Sequence, residues 1–529
     1  MYYLTTAIDY TNGSPHIGHA YEKILSDILV RYQRLKGVET FFLTGVDQHG
    51  QKVQQSAEKE GIHPATYAAK NTKKFKKLWE QVGLDYDGWA ETTDDRHKAC
   101  VCKILTQLKE QGQLYKKAHK GFYSVRQEQF LNDRDRNEQG EFGAEWGEVV
   151  ELAEENWYFK LSDHAQWLQD YLEKTPDCVY PSFRQQEVIN SLEKMQDTDL
   201  CISRPKARLF WGIEFPFDPE YVTYVWFDAL INYLSFAGYL ADPDSELPDF
   251  DKVWERPVHV IGKDILVPAH AIYWMAMLHA LGFNDEQMPQ FVVHGFWNAK
   301  GEKMSKSIGN IIDPKELADT YGVDALRYYL ARDIHTGKDA DFLPDRFISI
   351  FQTELANDLG NLCNRTLNMA VRYCADKTLA TPSDYELVEL DKQLQESLAQ
   401  TKELYKKNMD TYQVSFALEA INKHVKLCNS YAEANQPWAL AKDEANTAQL
   451  HNCLYHIIES LAHIALLLSP VLPDASAKIL HQIGASDLAT TTLDQINWGL
   501  IQQPHLVNKP KPIFPRIQLP ETEKTEETA

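Results

Sequence analysis

Two short runs of residues hold side chains that could do chemistry together. His16 and His19 stand three apart with Gly18 between them. Ser14 suits a helix N-cap and Pro15 the first helical position, so the spacing predicts both imidazoles on one face at the start of a helix. Gly18 leaves room for a ligand against the backbone, and a helix N-terminus adds N–H groups and a positive dipole end. This suits a triphosphate and the charge that develops during attack on an α-phosphate. Two histidines on a helix can equally be a surface pair. The second run weighs against that. Lys303-Met304-Ser305-Lys306-Ser307 follows a predicted strand and precedes a helix that Asp313 can cap and Pro314 can start. Two ammonium groups on a loop can clamp a pyrophosphate leaving group and then release it.

The elements that must position these residues can be read from pattern. Tyr2 to Tyr10 is rich in β-formers, and Thr11-Asn12-Gly13 is a turn. Ile24, Leu25, Ile28, Leu29 and Tyr32 then recur at helical spacing, and Gly37 can end that helix. Thr40 to Thr44 reads as a second buried strand. The unit is βαβ, so a parallel sheet is expected. From about 118 to 225, aromatic, acidic and turn residues mix without long helical repeats, which reads as an insertion in the sheet domain. Ten acidic residues against three arginines between Arg126 and Glu155 argue against a nucleic-acid surface there. Strands resume at Pro257–Gly262 and Gln290–Gly295. Beyond Arg346 the chain reads as helical to about 483, with candidates at Phe351–Arg372, Glu386–Lys407, Tyr412–Glu433 and Ala448–Leu468; a bundle is the natural packing. Residues 506–529 are rich in Pro and Glu, and disorder is expected over about the last ten.

The 529 residues, 44% of them hydrophobic, are enough for several cores. No run of about 18 apolar residues predicts a membrane span, and the first residues lack the basic region of a secretory signal. Eight scattered cysteines form no CxxC pair, which fits reduced thiols in a cytoplasmic protein better than disulfides or a metal site. A net charge of −22 argues against a protein that coats nucleic acid non-specifically. Lys70, Lys73, Lys74, Lys76 and Lys77 could form a local basic face, with a solvated helix face as the plainer reading.

In their order and separation, the two motifs resemble the ATP-binding signatures of class I aminoacyl-tRNA synthetases. The resemblance spans nearly the whole chain. It implies a Rossmann-like, doubly wound parallel sheet split by an insertion, followed by an α-helical anticodon-binding bundle. The expected division is 1–117 and 226–298 for the catalytic halves, 118–225 for the insertion, 299–350 for the lysine loop and link, 351–505 for the bundle and 506–529 for the tail. The insertion is too short for the editing domain of the valine, leucine and isoleucine enzymes. No cysteines fit the zinc site of the cysteine enzyme.

Closer segments resemble the methionine-specific members: Ala7 to Gly13, Gly45 to Gly50, Tyr224 to Tyr233, and His270, Tyr273 and Trp274 after Gly262-Lys263-Asp264-Ile265. The stretch from Gly262 to His270 is one residue longer than in those enzymes. The likeness implies that His16, His19, Lys303 and Lys306 stabilise the transition state, with Gly18, Ser305 and Ser307 also at ATP. It puts Asp47 on the amino acid's α-ammonium. Ile8, Trp226, Ala229, Tyr233 and Trp274 would wall a thioether, since sulfur sits well against aromatic rings. Tyr10 and His270 would add polar tips that help reject other side chains. Each of these aromatics could also be ordinary core.

Many methionine enzymes carry zinc-binding CxxC pairs in the insertion. Here Ser124 and Gln127 stand at the first pair, and Gly143 and Trp146 roughly at the second, so no structural zinc is expected. Trp146, Phe142 and Phe130 are candidates for an apolar cluster in its place. Asn361, Arg365 and Trp438 resemble the anticodon-reading residues; an amide and an arginine can read splayed base edges and a tryptophan can stack. Lys509 to Ile517 resembles a segment that packs back on the body, and no further RNA-binding or dimerising domain follows, which leads to the expectation of a monomer. The implied reaction uses L-methionine, ATP with Mg²⁺, and initiator and elongator methionine tRNAs. Arg204 is expected at the tRNA end or in ordering the site. Two rivals remain at this level: a small-molecule nucleotidyltransferase, which leaves the helical half unexplained, and an inactive RNA-binding relative, which should have lost a motif histidine or lysine.

Overall fold

The computed structural model describes residues 1–124, 129–131, 133–137, 139–195, 198–299, 301–304 and 312–514. The chain divides into two compact units, one of residues 1–26 and 39–295 and the other of 27–38 and 296–529.

The first unit is built on a seven-stranded sheet, with strands β1 Tyr2–Thr6, β2 Asp9–Tyr10, β3 Thr40–Asp47, β4 Gly88–Glu91, β5 Val179–Tyr180, β6 Val258–Gly262 and β7 Gln290–His294. Its order is β2-β3-β1-β6-β7-β5, with β4 paired to β3, and every pairing is parallel. Leu4, Phe42, Val260 and Val292 are fully buried. That is why these strands read as apolar runs rather than alternating ones: a parallel sheet is covered on both faces.

Helix α1, Ile17–Leu35, connects β2 to β3 and is buried on every side from Ala20 to Val30, including the charged Glu22, Lys23 and Asp27 as well as Tyr21, Ile24, Leu25, Ile28 and Leu29. It ends where Val38 N–H reaches Gln33 O and Gly37 N–H reaches Arg34 O, with Gly37 at φ +78°. Its start differs from the expected one. Ser14 and Pro15 precede the helix, which begins only at Ile17. Helix α2, Gln51–Glu60, follows β3, and helix α3, Val225–Ser235, follows the insertion.

The insertion opens on a long antiparallel pair, Leu114–Ser124 with Val149–Phe159. At its tip, Ser124 Oγ donates to Trp146 O at 2.5 Å, and Trp146 Nε1 donates to Asp135 O at 3.1 Å. The described residues at this tip include a cation–aromatic cluster. The Arg136 guanidinium lies 5.0 Å from the Phe122 ring and 4.2 Å from the Phe142 ring, and its Nη1 donates to Gly140 O. Gln127 and the side chain of Phe130 lie outside the described residues. Among the described residues no group of three or more His, Cys, Asp or Glu side chains could hold a metal ion.

The second unit is mainly helical. A π-helical stretch, Phe351–Gly360, leads into α4, Asn361–Tyr373. Then follow α5 Glu389–Asp410, α6 Val414–Asn435 and α7 Thr447–Leu468, close to the spans expected from sequence. Asp391, fully buried, ties three of them: it accepts from Tyr431 Oη at 2.6 Å, from Asn452 Nδ2 at 3.0 Å and from Val388 N–H at 3.0 Å. No helix among the described residues is long and apolar enough to cross a membrane.

Candidate active site

The two motif histidines cap their own helix. Gly18 N–H donates to His16 Nδ1 at 3.0 Å, and His16 N–H donates to His19 Nδ1 at 3.2 Å. This is a reciprocal capping box, with imidazoles in place of the usual hydroxyl and carboxylate. The rings lie 4.0 Å apart. Because each Nδ1 accepts, the proton of each neutral ring sits on Nε2, so each ring presents an N–H donor. Gly18 serves this geometry directly. A Cβ there would stand 2.9 Å from His16 Cε1, so the room expected for a ligand is filled by the His16 ring.

Asp47 ends β3 and is 4% exposed. Its Oδ1 accepts from His49 N–H at 3.2 Å and from Thr92 Oγ at 3.3 Å, and Thr92 Oγ in turn accepts from Gln48 N–H at 3.0 Å. His49 is held from α3: its Nδ1 donates to Asp228 Oδ2 at 2.7 Å, while Asp228 Oδ1 takes His97 Nε2 at 2.8 Å. Asp228 is fully buried. Burial alone would raise its carboxyl, but the two histidines bring it below its ordinary value.

A cavity of about 220 Å³ opens beside Asp47. It is small next to the roughly 300–1,000 Å³ of sites for drug-sized ligands, and fits an amino acid better. Of the residues expected from sequence, Ile8, Tyr10, Asp47, Trp226, Ala229, Tyr233 and His270 line it. Trp274 does not. It is fully buried behind the wall, with its ring 5.7 Å from Tyr233 and its Nε1 donating to His259 Nε2. Ala7, Lys52, Val225, Leu230 and Ile265 also line the cavity without having been singled out. A helical period through Trp226, Ala229 and Tyr233 would have pointed to Val225 and Leu230.

His270 sits in a π-helical stretch, Leu266–Trp274. The stretch is interrupted at Val267, whose backbone is extended (φ −118°, ψ 130°). His270 Nδ1 donates back to Ile265 O at 2.8 Å, so its Nε2 accepts from Tyr233 Oη at 2.9 Å. Burial pushes its pKa down to about 4. The ring is therefore neutral near pH 7.

Beneath the cavity floor lies a second network. Lys23, fully buried on α1, donates to Ala7 O at 2.7 Å, Asp9 Oδ1 at 3.0 Å and Glu22 Oε1 at 2.7 Å. Ala7 belongs to the cavity wall, so the lysine fixes that wall by its backbone. Burial raises Asp9 to about 7 although Lys23 pulls it down. Burial would also raise Glu22, but Lys23 and His294 bring it to about 2.

Arg204 is 3% exposed, with its guanidinium 4.4 Å from the Tyr224 ring and 5.5 Å from the Tyr123 ring. Lys303 lies on a short strand, Glu302–Lys303; its side chain and Ser305, Lys306 and Ser307 fall outside the described residues. In the second unit, the Arg365 guanidinium lies 4.5 Å from the Trp438 ring and bonds Glu433 Oε1 at 2.5 Å. Asn361, exposed, stands one turn earlier on α4.

Comparison with known proteins agrees in both halves. A family model described as class I tRNA synthetases (M) matches residues 2–140 and 146–367. A second, described as the anticodon binding domain of methionyl tRNA ligase, matches 381–528. The methionine–tRNA ligase of Fusobacterium nucleatum is 38% identical over 99% of this chain and 81% of its own length. That of Bacillus subtilis is 39% identical over 98% of this chain and 78% of its own. A crystal structure of the Mycobacterium tuberculosis methionyl-tRNA synthetase bound by methionyl-adenylate is similar with a TM-score of 0.88 and 35% identity, covering 97% of this chain and all of that one. The histidine cap, the small walled cavity and a helical unit with a family match of its own lead to one assignment: the chain belongs to the class I methionine–tRNA ligases.

Proposed function

We propose that the cavity beside Asp47 binds L-methionine and that the chain joins it to methionine tRNA through methionyl-adenylate. The observation that best supports this is the pairing of a buried, doubly hydrogen-bonded carboxylate with a wall of Trp226, Tyr233 and a neutral His270. Asp47 takes the α-ammonium. The thioether lies against the rings, with Ile8 and Ala229 completing the apolar wall and Tyr10 at its edge. The methionine carboxylate attacks the α-phosphate of ATP, an O–P bond forms, the bond to the β-phosphate breaks, and pyrophosphate leaves. The Nε2–H groups of His16 and His19 donate to the charge that builds on the phosphate. Gly18 keeps them in place. Lys303 and Lys306, with Ser305 and Ser307, hold the departing phosphates. Trp274 supports the wall from behind Tyr233.

Magnesium belongs to this reading as the ion carried on ATP's own phosphates. Arg204 orders the insertion beside the site. In the helical unit, Arg365 and Trp438 form a joined stacking and base-reading surface with Asn361 one turn away, suited to the anticodon of both initiator and elongator methionine tRNAs. We read the protein as a cytoplasmic monomer, divided at the boundaries read from sequence and without structural zinc.

Amino-acid-dependent ATP–pyrophosphate exchange tests the reading. Exchange with methionine, and not with leucine, valine or cysteine, is expected; no exchange with methionine would end it. Lys306→Ala should lower the adenylation rate far more than methionine affinity.

A further inference from the structure

A free amino acid carries two charges, and Asp47 answers only one. We infer that Lys52 receives the methionine carboxylate and holds it for attack on the α-phosphate. This rests on the reading of the cavity as the methionine site.

Lys52 lines the same cavity as Asp47 and is the only cation that does so among its described lining residues. It stands in the first turn of α2, just after the Gly50 N-cap, so the positive end of the helix dipole adds to its charge. Gly50 makes the approach possible. Its φ is +98°, and a Cβ there would stand 2.2 Å from Tyr10 Oη. The short loop from Asp47 to Lys52 thus brings an anion and a cation to one small space.

Lys52 is half-buried, and no described carboxylate pairs with it. Its ammonium lies 5.6 Å from the centroid of the Tyr10 ring, itself part of the wall. A surface lysine usually finds an acid or open water, whereas this one is held by an aromatic ring at the mouth of a pocket. A carboxylate entering between Trp226, Tyr233 and Ile8 loses water and needs a charged donor in return. Lys52 can supply it. The attacking oxygen keeps its lone pairs, since an ammonium donates and does not take the carboxylate's charge away.

The test separates the carboxylate from the rest of the molecule. L-methioninol keeps the ammonium and the thioether but has an alcohol in place of the carboxylate. In the full-length protein, Lys52→Met should raise the methionine KM in pyrophosphate exchange by about 10- to 100-fold, the effect of losing one hydrogen bond to a charged group. The dissociation constant of methioninol should move by less than about twofold, and Lys52→Arg should recover most of the loss. Equal weakening of both ligands would mean a structural role and overturn the inference. An unchanged methionine KM, or a rise in the ATP KM alone, would overturn it too. Failure of the parent protein to exchange with methionine would instead remove the cavity reading beneath it.

Discussion

Gly18 shows how little space the start of α1 can spare. Its missing Cβ is what lets the His16 ring fold onto the Gly18 N–H. Gly18→Ala should push the ring off its cap and misaim its Nε2–H. Loss of one well-aimed donor to a developing oxyanion costs about 100-fold in kcat, so that fall is expected in pyrophosphate exchange, with the methionine KM nearly unchanged; a defect mainly in methionine KM would contradict the role. Asp9 gives a pH prediction. Its carboxyl is at about 7 in the folded chain, against about 3.9 when exposed. Stability linked to its proton is full below about pH 4 and is lost as pH rises to about 7. Asp9→Asn carries no charge at any pH, so it should gain on the parent between pH 5 and 8 in denaturant unfolding. An equal difference at both pH values would rule this out. At this scale the sequence was informative about residue type and poor about partners. His16, His19 and Asp47 stand out by motif. Thr92 and His49, which aim Asp47, do not, because hydrogen bonds across 45 residues, or to a backbone N–H, leave no local pattern.

Helix α3 places both the aromatic wall and Asp228, the acid that holds His49 and His97. Asp228→Asn keeps the shape but removes a buried charge from two partners. Breaking such a pair costs about 3–5 kcal/mol, so a clear loss of thermal stability should come with a higher methionine KM. A stable variant with a normal KM would show that Asp228 is neither anchor nor prop. At the insertion tip, Arg136 packs against the Phe122 and Phe142 rings, which lie 5.3 Å from each other. Chelator treatment followed by return of Mg²⁺ should leave exchange activity intact, and Arg136→Ala should raise protease sensitivity at the tip; activity restored only by zinc would overturn both. The elements themselves were legible where periodicity is strong, as in α1, α5, α6 and α7. Less legible was the start of α1, where serine and proline gave the expected cap signal but the histidines took the cap. The π-helical stretch at Leu266–Trp274 likewise has no pattern of its own.

Over the whole chain, burial of charge recurs as a building device. Asp391 joins three helices of the second unit. Arg327, fully buried in that unit, donates to Asp27 Oδ2 at 2.5 Å, to Val471 O at 2.9 Å and to Pro470 O at 3.0 Å. Composition gives no hint of this, since a 25% charged fraction is ordinary. The parallel sheet, the insertion and the helical half were nevertheless readable, because each changes the hydrophobic period over a long stretch.

The histidine capping box also bears on how such a chain can change over generations. On the function proposed above, each imidazole is a donor to the reacting phosphate and also accepts a backbone N–H at the start of α1, His16 from Gly18 and His19 from His16, so a replacement at either position damages two functions at once. The two positions are therefore epistatic: a substitution tolerable in a plain cap, or in a plain donor, is not tolerable here. A drifting copy of this gene would lose catalysis and the first turn of α1 together, leaving few half-active intermediates from which the motif could be rebuilt.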